Sequence, residues 1–251
     1  MSPWLEGRVA ARRDWTDSLH SLEVEAPGLA FVAGQFARLA LPAPPGSKDP
    51  MLGRPYSFVN PPHAKRHEFY FNVVPGGPLS ARLAGLNPGD ALWLGARANG
   101  FFSVPELPQA EVLWCISTGT GIGPFLSILR TTDTWEKFGR IVLVHAVRHA
   151  HALNYTDTIA GIAREHHGAF GFVPVVSREP HPHALAGRIP ALIADGRLES
   201  RAGVPLNADN AHAMLCGNPA MVDDVQAALA TRGMKRHRRK EPGHITLETY
   251  W

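Results

Sequence analysis

The N-terminal part of the chain carries short apolar runs that glycine and proline interrupt. Residues 19–24 partly alternate between apolar and polar, which is the pattern of a strand with one buried face. Strands are predicted at residues 19–24, 36–41, 56–59, 69–74 and 92–94, and one helix at residues 79–83. Turn-forming residues separate these segments. Many short strands at this spacing predict a small antiparallel β-barrel.

The rest of the chain alternates strand-like and helix-like segments. Residues 112–117 form a nearly continuous apolar run, as expected for a parallel strand covered on both faces. Further strands are predicted at residues 141–146, 172–176 and 211–216, and helices at 124–129, 157–167, 187–193 and 220–231. This alternation predicts a doubly wound α/β parallel sheet, with ligands at the carboxyl ends of its strands. We therefore expect two domains, residues 1–105 and residues 106–251.

Composition narrows the class of protein. Apolar residues make up 45% of the chain and charged residues 19%, which is typical of a soluble globular protein. No apolar stretch is long enough for a membrane span, and the N-terminus lacks a secretory signal. Two cysteines, Cys115 and Cys216, are too few for a disulfide framework or an iron–sulfur cluster. Both lie in apolar runs, which indicates reduced thiols in the cytoplasm.

Arg54 and Tyr56 are two residues apart, so their side chains share one face of a strand. A guanidinium offers charge to a phosphate, and tyrosine offers a flat stacking surface. A flavin requires both, although a buried tyrosine would give the same pattern. Downstream, residues 76–80 (Gly-Gly-Pro-Leu-Ser) open a helix whose free backbone N–H groups would bind an anion. The alternative is that Ser80 is an ordinary helix-capping serine.

A glycine-rich turn follows the first predicted parallel strand. Residues 119–123 read Gly-Thr-Gly-Ile-Gly, which departs from the Gly-x-Gly-x-x-Gly dinucleotide fingerprint. Glycine there lets a dinucleotide approach the backbone, with its phosphates facing a helix N-terminus.

Three arginines lie at or just beyond the ends of predicted strands: Arg148, Arg178 and Arg188. The 2′-phosphate of NADP favours guanidinium groups, whereas an NAD site uses an acidic residue to bind the ribose hydroxyl. The arginines therefore favour NADP over NAD. The alternative is that Arg178 pairs with its neighbour Glu179 or with another surface acid.

Residues 54–57 (Arg-Pro-Tyr-Ser), followed by residues 117–124 (Ser-Thr-Gly-Thr-Gly-Ile-Gly-Pro), resemble the ferredoxin–NADP reductase family. Residues 216–219 (Cys-Gly-Asn-Pro) and the terminal Tyr-Trp pair bring the resemblance close to the bacterial ferredoxin/flavodoxin–NADP reductases, over nearly the whole chain. The resemblance implies FAD in the N-terminal barrel and NADP(H) in the α/β domain, with a C-terminal tail that returns to FAD. It implies electron exchange between NADPH and a one-electron carrier, ferredoxin or flavodoxin, by a protein that is typically a monomer.

The resemblance also assigns site residues by position. The implied FAD contacts are Arg54, Pro55, Tyr56, Ser57, Phe71, Asn72, Val73, Pro78, Leu79, Ser80, Thr120, Tyr250 and Trp251. The implied NADP contacts are Gly119, Gly121, Val147, Arg148, Ser177, Arg178, Arg188, Cys216, Gly217 and Asn218. Tyr56, Ser57 and Tyr250 are the residues implied to act in catalysis at the flavin ring.

Several of these positions leave alternatives open. Pro78 stands where the family often has lysine, so backbone amides and Arg54 would do more of the phosphate binding. Cys216 is interpreted as a packing and positioning residue, because hydride transfer needs no nucleophile. Glu248 would either assist proton delivery to the flavin or be an exposed strand residue. The terminal aromatic residues would either stack on FAD or fill the core.

Positive charge is concentrated near the C-terminus, at Lys235, Arg236, Arg238, Arg239 and Lys240, within a net charge of only +3. This segment would dock an acidic carrier, or it would be a solvated loop. Nucleic-acid binding is disfavoured, because the basic residues lie in one short segment without interleaved aromatics. The thirteen histidines lack the spacing of a zinc site, and no metal is predicted.

Three other functions remain open: a stand-alone NAD(P)H flavin reductase, an oxygenase reductase component and a catalytically silent flavoprotein. Many oxygenase reductases carry an additional ferredoxin domain with four cysteines, and the two cysteines of this chain exclude that arrangement.

Overall fold

A computed structural model describes residues 3–250 and divides the chain into two compact units, Met1–Ser103 and Val104–Trp251. The division falls close to the expected domain boundary after residue 105. Within residues 3–250, no helix has the length and apolar character that crossing a membrane requires.

The first unit is a six-stranded antiparallel sheet in the order β4-β3-β6-β1-β2-β5. Its elements are β1 (Trp4–Asp14), β2 (Leu19–Glu25), β3 (Phe36–Pro42), β4 (Met51–Ser57), β5 (His67–Asn72), α1 (Ser80–Ala84) and β6 (Ala91–Gly95). A bridge between Phe58 and Phe69 joins the segment after β4 to β5, so the two ends of the sheet meet around an apolar core. The antiparallel barrel is confirmed.

Two strands differ from their sequence prediction. β4 spans Met51–Ser57, with Pro55 inside it, whereas this strand was predicted at residues 56–59. An edge strand tolerates proline, which has no N–H to donate to a neighbouring strand. β1 was not predicted, because Gly7 occupies a buried position and hides the apolar alternation. A Cβ at Gly7 would lie 2.8 Å from Leu94 Cδ1 and 2.9 Å from Val24 Cγ1, so a larger residue would force these side chains of β6 and β2 to shift.

The second unit is a six-stranded parallel sheet in the order β10-β9-β8-β7-β11-β12. Its strands are β7 (Val112–Thr118), β8 (Arg140–Val147), β9 (Phe170–Val176), β10 (Leu185–Ala186), β11 (Ala211–Gly217) and β12 (Ile245–Thr249). Its helices are α2 (Gly123–Ile128), α3 (Thr132–Lys137), α4 (Thr156–Glu165), α5 (Ile189–Ala194), α6 (Arg197–Ala202) and α7 (Pro219–Ala230).

Both faces of the parallel sheet are buried. On one face, Trp114, Val144 and Leu215 share a core with residues of α5, α6 and α7. On the other face, the alternating residues Leu113 and Leu143 are also fully buried. Burial on both faces is what a doubly wound sheet requires, so the predicted α/β fold of this unit is confirmed.

Three elements of the second unit had no sequence prediction, α3, α6 and β10, and a strand at β12 was one of two alternatives for the terminal segment. The two helices are short and mostly polar, Thr-Asp-Thr-Trp-Glu-Lys in α3 and Arg-Leu-Glu-Ser-Arg-Ala in α6, so neither shows an apolar periodicity. β12 depends on tertiary pairing with β11, from Ala213 opposite Ile245 to Gly217 opposite Thr249.

Candidate active site

The strand β4 places a cation beside an aromatic ring in the first unit. Tyr56 is half-buried, and its ring meets the ring of Phe71 edge-on, with centroids 5.7 Å apart. Arg54 is exposed, and its Nη1 donates a hydrogen bond to the Gly53 carbonyl at 2.9 Å. Burial raises the pKa of Tyr56 to about 12, and the positive charge of Arg54 opposes that shift. Tyr56 therefore presents a neutral phenol next to a positive charge.

The other predicted flavin residues of β4 and β5 differ in exposure. Pro55 and Asn72 are exposed, whereas Ser57 and Phe71 are buried. The backbone N–H of Val73 donates to the Ser18 carbonyl at 2.8 Å, which fixes the chain as it leaves β5.

The segment before α1 presents backbone rather than side chains. Gly76 has a φ of +70°, and a Cβ there would meet no atom within 4 Å. Leu79 caps α1 without a side-chain hydrogen bond, so Ser80 is not the capping residue. Instead, the Ser80 hydroxyl accepts a hydrogen bond from the Val74 N–H at 2.9 Å. Because Pro78 lacks an N–H, a pyrophosphate here would be bound by the remaining backbone amides and by Arg54, and this donor set fits FAD.

The glycine turn of the second unit is a 3₁₀ turn, Gly119–Ile122, at the carboxyl end of β7. Its two predicted NADP-binding glycines have different surroundings. Gly119 has a φ of +53° and open space where a Cβ would stand, so its outer surface is available to a ligand. Gly121 is buried, and a Cβ there would lie 2.5 Å from the Cys216 carbonyl oxygen. Glycine at 121 is therefore required for packing of the turn against β11.

Thr118 joins this turn to the loop after β11 and was missed by the sequence analysis. Its Oγ1 accepts a hydrogen bond from the Asn218 N–H at 3.0 Å. Gly217, with a φ of +137°, leaves no space for a side chain next to Thr118. Asn218 caps α7 by accepting from the Met221 N–H at 3.4 Å, which accounts for asparagine at this position. In the sequence, the position of Thr118 directly before the glycine turn is the feature that could have indicated this role.

β12 places Glu248 beside Cys216, and the Tyr250 N–H donates to the Gly217 carbonyl at 2.7 Å. Burial, and then the charge of Glu248, raise the pKa of the Cys216 thiol, while a hydrogen bond with Tyr250 opposes the shift. The thiol stays protonated, which supports a packing role over a nucleophilic one. Glu248 is half-buried rather than fully exposed.

The turns after β8 and β9 lie side by side. The Ser177 N–H donates to the Val147 carbonyl, and the Arg178 N–H donates to the Arg148 carbonyl, each at 3.0 Å. Arg148, Arg178 and Arg188 are exposed, and their side chains form no ion pair within residues 3–250.

The alternative pairing of Arg178 with Glu179 is wrong. Glu179 accepts a hydrogen bond from the Ala150 N–H at 2.7 Å and lies 3.2 Å from His149 Nδ1. Exposed guanidinium groups without acidic partners fit a 2′-phosphate.

The basic segment, residues 235–240, is partly neutralised. Arg239 pairs with Glu106 at 3.2 Å, and Arg238 pairs with Glu241 at 3.6 Å. Its remaining cationic residues are exposed: Lys235, Arg236 and Lys240.

Some predicted contacts with FAD have no direct test in the structure. Thr120 is half-buried in the 3₁₀ turn, and its contact with FAD stays a prediction, as does that of Tyr250. Trp251 lies outside the described residues. Among residues 3–250, no three histidine, cysteine or acidic side chains are grouped to hold a metal ion.

An antiparallel unit that fits a flavin and a parallel α/β unit that fits a phosphorylated dinucleotide define a flavin-dependent nicotinamide-nucleotide oxidoreductase. Residues 115–227 match the model of the oxidoreductase NAD-binding domain family. The chain is 46% identical to the flavodoxin/ferredoxin–NADP reductase of Escherichia coli strain K12, and the match covers 100% of both chains. The chain belongs to the flavodoxin/ferredoxin–NADP reductase family.

Solved structures agree with this membership. A ferredoxin NADP⁺ reductase from Neisseria gonorrhoeae with bound FAD and NADP is 31% identical, with a TM-score of 0.93 over 100% of both chains. A cytochrome P450 reductase from Amycolatopsis is 28% identical, with a TM-score of 0.77 over 98% of this chain and 70% of that one. The family resemblance in residues 54–57 and 117–124 is confirmed.

Proposed function

We propose that this protein exchanges electrons between NADPH and a one-electron carrier, ferredoxin or flavodoxin, with FAD as its flavin. The proposal rests on one observation: each unit has cationic and hydrogen-bond-donating groups suited to one nucleotide, FAD in the first unit and NADP(H) in the second. The first unit has Arg54 beside Tyr56, and the second has arginines at the carboxyl edge of its sheet that form no ion pair with any residue from 3 to 250. The Escherichia coli relative is named for this reaction, and the Neisseria gonorrhoeae structure holds both nucleotides.

Residues 1–105 would hold FAD. Tyr56 would border the flavin ring with a phenol that stays neutral, and Ser57 and Phe71 would lie beside it. Arg54 and the backbone N–H groups of Gly76, Leu79 and Ser80 would bind the pyrophosphate, because Pro78 has no N–H and the Gly77 N–H donates to the Val74 carbonyl at 2.8 Å. By the family pattern, the further FAD contacts are Pro55, Asn72, Val73, Thr120, Tyr250 and Trp251. When bound, FAD supplies two-electron hydride chemistry together with single-electron release.

Residues 106–251 would bind NADP(H). The open surface of Gly119 would let the dinucleotide approach the backbone, with Val147 and Ser177 lining the adjacent strand ends. The arginines after β8 and β9, with Arg188, would hold the 2′-phosphate. Residues 216–218 would position the nicotinamide, because Thr118 fixes the backbone of that loop.

The basic segment would dock the carrier. Ferredoxins and flavodoxins are acidic, so exposed cations would accelerate their encounter with this surface. Lys235, Arg236 and Lys240 are the better candidates, because the charges of Arg238 and Arg239 are already paired with glutamates. We further propose a cytoplasmic location, since both cysteines are buried free thiols. A monomer is proposed because it is the state that the family resemblance implies.

The likeness to the Amycolatopsis cytochrome P450 reductase favours one second candidate, an oxygenase reductase component. The two functions differ in the protein that receives the electrons. We expect NADPH-dependent reduction of purified flavodoxin or ferredoxin that saturates at low carrier concentration. If neither carrier were reduced faster than free flavin, the carrier assignment would be wrong, and the second candidate or a flavin reductase would replace it.

A further inference from the structure

The turn after β8 and the turn after β9, here called the two arginine turns because they carry Arg148 and Arg178, are joined by one side-chain contact. Arg148 is followed by His149 and Ala150, and Arg178 is followed by Glu179. One Glu179 carboxylate oxygen accepts from the Ala150 N–H at 2.7 Å, and the other lies 3.2 Å from His149 Nδ1. The Glu179 side chain therefore links the turn after β9 to the turn after β8, one residue away from each arginine.

The position of this carboxylate has chemical consequences for the nucleotide. An acidic residue at a strand end is what NAD sites use to bind the ribose 2′-hydroxyl. A carboxylate free to turn toward Arg178 would also compete with a 2′-phosphate for its guanidinium. The hydrogen bonds of the Ala150 amide and of His149 lower the pKa of Glu179, so the group is ionised and both oxygens are engaged. The His151 ring lies parallel to the His149 ring, with their centroids 5.8 Å apart.

We infer that the contact of Glu179 with His149 and Ala150 determines coenzyme specificity. It holds the two arginine turns together and keeps the Glu179 carboxylate from both the ribose hydroxyl and Arg178. His149 and Glu179 are thus positioning residues that act through Arg148 and Arg178. The inference rests on the proposed function, because it requires that these arginines bind a 2′-phosphate.

The test is calorimetric binding of two small probes to the full-length protein, so that the readout does not depend on turnover. The probes are adenosine 2′,5′-bisphosphate and AMP, which differ only in the 2′-phosphate. Four proteins are compared: the natural chain, His149→Ala, Glu179→Gln and the double variant. Glutamine has the shape of glutamate, and it accepts from Ala150 and donates to His149 without a negative charge.

We expect His149→Ala to weaken binding of the bisphosphate by about 10-fold at low salt, because one carboxylate oxygen is released beside Arg178. Glu179→Gln should bind within about 2-fold of the natural chain. Adding Glu179→Gln to His149→Ala should restore most of the lost affinity, since the competing charge is then absent. AMP should bind His149→Ala at least as tightly as the natural chain, because the released carboxylate can accept from the ribose 2′-hydroxyl, and Glu179→Gln should remove any such gain.

A purely structural role of His149 would give no such restoration. The inference is overturned if His149→Ala binds the bisphosphate as the natural chain does, or if the double variant binds no better than His149→Ala. If the natural chain itself binds both probes equally, the NADP assignment fails as well, and this outcome separates failure of the proposed function from failure of the contact alone.

Discussion

Among single residues, the buried histidine His145 has a pKa that its surroundings change strongly, and it lies near the carboxyl end of β8. It is fully buried in β8, and its Nδ1 lies 3.3 Å from the Ser117 hydroxyl oxygen. That hydroxyl donates to the Val144 carbonyl at 2.9 Å, so the Nδ1 nitrogen carries the proton and donates to the hydroxyl. Burial lowers the pKa of His145 to about 4, and the Ala152 backbone opposes the shift. Burial, with the charges of neighbouring histidines, lowers the pKa of His212 to about 3.

These pKa values predict a loss of stability in acid. Between the folded pKa of about 4 and the ordinary histidine pKa of 6.5, the unfolded chain binds protons that the folded chain does not. The free energy of unfolding should therefore fall as the pH decreases through this window. His145→Gln should lose less stability between pH 6.5 and pH 4.5 than the natural chain, by on the order of 2 kcal/mol. Urea unfolding at several pH values measures both slopes, and equal slopes would contradict the prediction.

Among the elements, the glycine turn after β7 is held in position by its packing against the carboxyl end of β11, where the nucleotide is expected to bind. A Cβ at Gly121 would meet backbone atoms of Cys216, which cannot move aside as a flexible side chain would. The same turn is held from the other side, where Thr118 accepts the Asn218 N–H.

Gly121→Ala should lower the free energy of unfolding by about 2 kcal/mol, because overpacking at this contact displaces the turn or β11. Gly161→Ala is the matched control. Gly161 lies within α4, and the nearest atom to an added Cβ is Arg164 Nη2 at 3.9 Å. That variant should gain up to about 1 kcal/mol from helix propensity. Chemical denaturation measures both, and a Gly121→Ala protein as stable as Gly161→Ala would disprove the packing argument.

A helix or strand could be predicted where its local sequence pattern matches the burial that its place in the fold requires. β7 and β11 are continuous apolar runs, and their sheet position requires that composition. The prediction placed β4 too far toward the C-terminus. Proline disfavours a strand with neighbours on both sides, and only the sheet order shows that the strand of Pro55 lies at an edge, where proline is tolerated. A strand at β12 stayed one of two alternatives, because its pairing with β11 is a tertiary effect that the local sequence does not show. The contact of Glu179 with His149 joins residues far apart in sequence, and only the register of β8 and β9 brings them together.

At the scale of the whole molecule, charge is unevenly distributed along a chain of net charge +3. Steering of an acidic carrier depends on exposed, unpaired cations, because paired charges contribute little field. Lys235 and Lys240 meet this condition.

Lys235→Glu combined with Lys240→Glu should slow reduction of flavodoxin by roughly 10-fold at low salt and should flatten the dependence of that rate on salt. NADPH oxidation with a small neutral acceptor should not change. Lys48→Glu, an exposed site in the loop after β3, reverses charge elsewhere and serves as the control. Rates of carrier reduction across a salt series measure the effect, and an equal loss in Lys48→Glu would argue against docking on this segment.

We propose that one chain binds FAD in its antiparallel unit and selects NADPH in its parallel unit. Anaerobic stopped-flow mixing of the purified protein with NADPH, and separately with NADH, tests both parts through the visible absorption band of the flavin. We expect a yellow protein whose band bleaches rapidly at low NADPH concentration and far more weakly with NADH. Equal bleaching by both would contradict the 2′-phosphate role of Arg148, Arg178 and Arg188, and a protein without a flavin band would contradict the assignment of Arg54 and Tyr56.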